Sequence, residues 1–144
     1  YCGIGLVALY LARNFRQVYA MDCEPRHVEL ARLNAAQNGL DNVDWRVGRV
    51  EPLLMDRRFW LQEAKPDVIA VDPPRAGLHT QALGSLLAAR PKRIAYLSCN
   101  AQTLVRDLRV LIAGFPRYRI ADVTAFDMFP QTNHVETLTI LDRA

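Results

Sequence analysis

Four short apolar runs, each closing on a turn or a polar residue, constrain this chain more than any other feature. They are 17–22 (Q-V-Y-A-M-D), 43–47 (V-D-W-R-V), 67–72 (D-V-I-A-V-D) and 93–98 (R-I-A-Y-L-S). Runs of this length bounded by turn residues read as strands, and 67–72 has the continuous apolar character of a strand buried on both faces of a parallel sheet. Helical stretches alternate with them. Residues 6–15, apolar around most of their circumference, predict a buried helix. Pro25 opens a second helix at the first-turn position that proline favours, Asn38-Gly39 closes it, and Val28, Ala31 and Ala35 form its inward stripe. The stretch 51–64 predicts an interrupted helix, and 80–89 and 103–113 predict two more, the last ended by Gly114. Two further strands, 118–126 and 135–141, have no helix between them. Strand–helix alternation closed by a strand pair selects an α/β fold: a doubly wound, mostly parallel sheet with an antiparallel last strand. The chain opens on a glycine turn, so the first strand of such a sheet is expected upstream of Tyr1.

The 144 residues fit one domain. With 51% apolar and 23% charged residues, disorder, collagen and coiled coil are excluded. No apolar run approaches the roughly 18 residues needed to cross a membrane. The start of the chain does not read as a signal peptide, which favours the cytoplasm. Cys2, Cys23 and Cys99 are too few and too scattered for a disulfide framework or a zinc site, and no metal is expected. The net charge is +3, carried by sixteen Arg and two Lys. Arginine pairs bidentately with phosphate oxygens, so the balance fits a mild nucleic-acid footprint and equally a bias of base composition.

Two groups of residues carry chemistry. Gly3-x-Gly5-x-x-Ala8 has the loose dinucleotide fingerprint, and Asp22, 19 residues after Gly3, ends the next strand where an acid meets ribose hydroxyls. The pattern serves both NAD and S-adenosylmethionine, and the closing antiparallel strand favours the second. Asp72 ends another strand on the carboxyl edge, where open α/β sheets bind ligands. Asp72-Pro73-Pro74-Arg75-Ala76-Gly77 then forms a stiff loop in which Arg75 can contact a phosphate or a base. Ser98-Cys99-Asn100 lies between a strand and a helix expected to start near Thr103, and a helix N-terminus favours thiolate. A buried structural cysteine is the simpler reading, as an ordinary edge acid is for Glu136. Sequence alone does not pair the two.

Taken together these segments resemble the S-adenosylmethionine-dependent RNA uracil-5-methyltransferases, which make 5-methyluridine. The matching runs are Y-C-G-I-G (1–5), the acid Asp22, N-A-A-Q-N-G (34–39), D-P-P-R-A-G (72–77), S-C-N (98–100) with T-L-V-R-D-L (103–108), and F-D-M-F-P-Q-T-N-H-V-E (126–136). The resemblance spans the whole chain and identifies it as the catalytic domain over 1–144, without the family's N-terminal RNA-binding portion. It implies Cys99 as nucleophile and Glu136 as general base, with Tyr1, Gly3, Gly5, Asp22 and Asp72 around S-adenosyl-L-methionine. It also implies an RNA substrate, with the D-M-F-P form closer to members acting on large-subunit ribosomal RNA than on transfer RNA. A monomer is expected. The chain departs from the family at Ala101, where Pro is usual, at Leu6, where many members have a polar residue, and at Arg49, where an amide or acid is usual. Two other readings stand beside it: an NAD-dependent oxidoreductase domain and a non-catalytic RNA-binding fragment.

Overall fold

A computed structural model describes residues 1–49, 56, 58–59 and 65–144. The helix expected over 51–64 falls largely outside the described residues. The chain divides into two compact units, Tyr1–Leu53 and Leu54–Ala144.

The first unit contains α1 (Leu6–Ala12), β1 (Val18–Asp22), α2 (Pro25–Gln37) and β2 (Val43–Val47). β1 and β2 pair in parallel, from Val18 opposite Val43 to Asp22 opposite Val47. Pro25 takes the first helical position of α2, where its missing N–H costs nothing, and the Glu24 side chain caps the turn by accepting from Arg26 N–H at 3.3 Å. The predicted stripe of Val28, Ala31 and Ala35 is buried and meets Ala8, Ala20 and Trp45 in a small core. α1 departs from expectation: it is shorter than 6–15 and buries only Ala8 and Ala12. Leu6, Val7 and Tyr10 on its other faces are exposed. The apolar circumference does not translate into burial because only one face, Ala8 and Ala12 with partly buried Leu9, packs.

The second unit contains β3 (Val68–Val71), α3 (Thr80–Ala89), β4 (Arg93–Ser98), α4 (Ala101–Ala113), β5 (Tyr118–Phe126) and β6 (Glu136–Arg143). Its sheet has the order β3-β4-β6-β5. β3 and β4 are parallel, while β6 is antiparallel to both β4 and β5. The antiparallel strand is thus last in the chain, as expected, but it lies inside the sheet rather than at its edge. β5 takes the edge, exposed from Arg119 onward. In β3 only Ile69 and Val71 are buried, so this strand is covered on one face rather than two. Ile94, Tyr96, Leu86, Leu111 and Leu141 form the centre of the unit.

Candidate functional site

In the first unit the glycine turn is built by backbone geometry. Gly3 (φ +53°) and Gly5 (φ +92°) both occupy the left-handed region, which side chains disfavour. A Cβ on Gly5 would lie 2.7 Å from the Trp45 ring and 3.1 Å from Ala31 Cβ, so the turn is pressed onto α2 and β2. A Cβ on Gly3 would meet nothing within 4 Å. The turn is therefore packed below and open above, as a ligand-facing loop must be. Asp22, at the end of β1, holds it there: Gly3 N–H donates to Oδ2 at 2.8 Å and Glu24 N–H to Oδ1 at 3.0 Å. Burial alone would raise this carboxyl, but the N–H groups of Glu24 and Gly3, with the N-terminal ammonium and His27, together keep Asp22 below its usual range. Oδ1 also lies 3.4 Å from His27 Nδ1, so it is Oδ2 that retains a lone pair for a further donor such as a ribose hydroxyl. The Tyr1 and Cys2 nitrogens donate to the Met21 carbonyl at 2.8 and 2.9 Å, continuing the turn beside β1. Burial pushes the Cys2 thiol up, away from reactivity, and Cys23 is exposed.

In the second unit three loops are tied together. The register of β4 against β6 runs from Arg93 opposite Asp142 to Ser98 opposite Thr137. Cys99 and Glu136 are the next residues in each direction, so an antiparallel ladder brings them to the same end of the sheet. Glu136 also pairs with Phe126 of β5. α4 begins at Ala101, two residues before the expected Thr103, because Asn100 caps it: its Oδ1 accepts from Gln102 N–H at 3.0 Å. Cys99 therefore directly precedes the cap. Ala101, at the first helical position, stands where proline would lose no hydrogen bond, so this departure from the family leaves the helix start intact.

The 72–77 loop is fastened to α4. The Arg75 carbonyl accepts from Asn100 Nδ2 at 3.2 Å and lies 3.1 Å from Thr103 Oγ1. Arg106 donates to the carbonyls of Ala76 and Leu78 at 3.0 and 3.1 Å. Asp107, fully buried, accepts from Leu78 N–H at 2.7 Å, from the Tyr96 hydroxyl at 2.6 Å and from Arg106 Nε at 2.8 Å. Gly77 (φ +74°) fits under this bracket only because it lacks a Cβ, which would lie 2.7 Å from Asp107 Oδ2. On the other side, an Arg75 guanidinium nitrogen lies 3.3 Å from His134 Nε2. Asp72 is exposed beside buried Pro73, and partial desolvation raises its carboxyl above the usual range.

The seven residues singled out in the sequence thus fall in two groups. Tyr1, Gly3, Gly5 and Asp22 are gathered in the first unit; Asp72, Cys99 and Glu136 belong to the second. The bracket residues Asn100, Thr103, Arg106, Asp107 and Tyr96 went unassigned. Asn100 lies in the S-C-N run and Thr103, Arg106 and Asp107 in the T-L-V-R-D-L run, which by themselves name no role for them, and Tyr96 is one residue of an apolar strand.

All of residues 1–144 match the family described as tRNA (uracil-5-)-methyltransferase. An uncharacterized RNA methyltransferase of Oceanobacillus iheyensis is 44% identical over 98% of this chain and 30% of its own length. One from Gloeobacter violaceus is 44% identical over 100% of this chain and 30% of its own. The crystal structure of Pyrococcus abyssi tRNA (uracil-54, C5)-methyltransferase with S-adenosyl-L-homocysteine superposes with a TM-score of 0.80, at 34% identity, over 98% of this chain and 32% of that one. A Streptococcus thermophilus rRNA methylase, at 16% identity and a TM-score of 0.74, shares the fold. The chain spans about a third of the length of the curated relatives it matches.

Proposed function

Because the chain belongs to the tRNA (uracil-5-)-methyltransferase family, we propose that it is the catalytic domain of an enzyme that methylates carbon 5 of a uridine in RNA. The nicotinamide reading loses its footing on the same ground, since the glycine turn and Asp22 are shared by both ligand types. The proposed cofactor residues are Tyr1, Gly3, Gly5, Asp22 and Asp72, and the open face of Gly3 and the carboxylate of Asp22 suit an adenosine ligand. Bound S-adenosylmethionine supplies an electrophilic methyl group. No helix among the described residues is long and apolar enough to cross a membrane, and a cytoplasmic location is part of this proposal.

Carbon 5 of uracil is a poor nucleophile. In the proposed mechanism the Cys99 thiolate donates an electron pair to carbon 6, forming the S–C6 bond and moving the C5–C6 π pair into an enolate that makes carbon 5 reactive. Once carbon 5 carries the methyl group, Glu136 takes its proton. The electron pair left behind restores the C5–C6 double bond and expels Cys99 as thiolate. The target base must leave its stack to be reached. The observation that carries these roles is the β4–β6 register, which supports a nucleophile and a base acting on one ring.

In the full-length natural protein, Cys99→Ala is expected to abolish methyl transfer to RNA while S-adenosylhomocysteine still binds in calorimetry. Retained turnover, or binding of NADH in place of S-adenosylhomocysteine, contradicts the proposal. The RNA type is decided by mapping the 5-methyluridine lost on deletion. The D-M-F-P form of 127–130 favours large-subunit ribosomal RNA, whereas the Pyrococcus relative is named for transfer RNA.

A further inference from the structure

Asn100, the residue after Cys99, divides its side chain between two tasks. Its Oδ1 caps α4 through Gln102 N–H, and its Nδ2 donates to the Arg75 carbonyl in the 72–77 loop. Its backbone is fixed as well: Asn100 N–H donates to Ser98 Oγ at 3.1 Å, and that hydroxyl donates to the Asn100 carbonyl at 3.0 Å. The Thr103 hydroxyl lies 3.1 Å from both the Arg75 and the Asn100 carbonyls and has one proton for the two. Cys99 is thus flanked by two immobilised residues, and the second is bolted to the loop that carries Asp72 and Arg75.

The far end of that loop has its own fastening, through Arg106 to Ala76 and Leu78 and through Asp107 to Leu78. Losing the Asn100 link would therefore loosen the near end alone and leave the fold standing. We propose that Asn100, with Thr103 sharing its acceptor, is a positioning residue that locks the cysteine turn to the 72–77 loop. The lock keeps the thiol in one geometry relative to the loop during addition to carbon 6. The inference rests on Cys99 being the nucleophile. Attack at a ring carbon tolerates little misalignment, and small displacements cost large factors in rate.

Asn100→Ser separates the two tasks. Serine caps a helix well and adds no charge, but its short side chain cannot carry a donor to the Arg75 carbonyl. Thr103→Val removes the neighbouring hydroxyl at nearly constant shape. In the full-length protein, formation of the covalent adduct with 5-fluorouridine RNA and kcat are expected to fall by about 10- to 100-fold in Asn100→Ser. KM for RNA, cofactor affinity and Tm should stay at wild-type values, and the deficit should persist across pH. Thr103→Val should weaken the rate less, and the double variant more than either. Wild-type adduct rates in Asn100→Ser overturn the proposal whatever the double variant does, as does a rate loss that simply follows a lowered Tm in both. Cys99→Ala run in parallel separates the two readings. If it still forms adduct, the nucleophile assignment has failed; if it is inert while Asn100→Ser is normal, only the positioning role has failed.

Discussion

Asp22 does at residue scale what a fingerprint acid is expected to do, and one thing more. It ends β1 where a ribose would be met, yet both of its oxygens already accept backbone N–H groups, so it also fixes the glycine turn. Its carboxyl is held below the usual range, which sets the sign of its pH dependence. The stabilisation is fully present above the unfolded Asp value of about 3.9 and is lost as pH falls through the lower folded value. Asp22→Asn turns one oxygen into an amide donor facing a backbone N–H. It is expected to cost about 1–3 kcal/mol in denaturant unfolding near neutral pH and to remove the acid-side loss of stability. Unfolding curves identical to wild type at both pH values would contradict this. The cysteines also separate at this scale: burial disarms Cys2, whereas Cys99 sits on a turn fixed from both sides.

At the scale of elements, α4 does more than cover a sheet. Its first turn holds the cysteine turn and its second carries Asp107 into the interior, where one carboxylate serves a loop, a strand tyrosine and its own neighbour. Burial and this carboxylate push the Tyr96 hydroxyl well above its usual range, so it remains a donor at any pH the protein survives. Asp107→Ala would strand two buried donors together, Leu78 N–H and the Tyr96 hydroxyl, while Arg106 keeps the Ala76 and Leu78 carbonyls. We expect the two unsatisfied donors to cost about 2–5 kcal/mol in urea unfolding; a loss below about 1 kcal/mol, the worth of an ordinary surface pair, would contradict the bracket. Little of this was legible in the sequence. Strands and helices were, because apolar runs, Pro25 and Asn38-Gly39 encode them locally. α4 starts two residues before the expected Thr103 because Asn100 caps it through a side-chain hydrogen bond that apolar periodicity does not encode. The position of β6 inside the sheet depends on pairing with β4, a partner some forty residues away, which no local pattern records. Cys99 and Glu136 could be named only through family resemblance. Their shared end of the sheet needed the register, and Asp107 needed the loop that folds onto it.

For the molecule as a whole, family membership and chemistry point the same way. The chain spans about a third of its relatives' length, and its net charge of +3 is compatible with the proposed RNA substrate. The central claim is that Cys99 attacks carbon 6 of a uridine in RNA. Its most direct test is to incubate the full-length protein with S-adenosylmethionine and RNA carrying 5-fluorouridine at the target position. Fluorine at carbon 5 gives Glu136 no proton to remove, so the methylated adduct has no route to elimination. A protein–RNA species stable to denaturant should accumulate, and peptide mapping should place the linkage on Cys99. Absence of any adduct under conditions where the natural RNA is methylated, or a linkage mapped to another residue, would contradict the account.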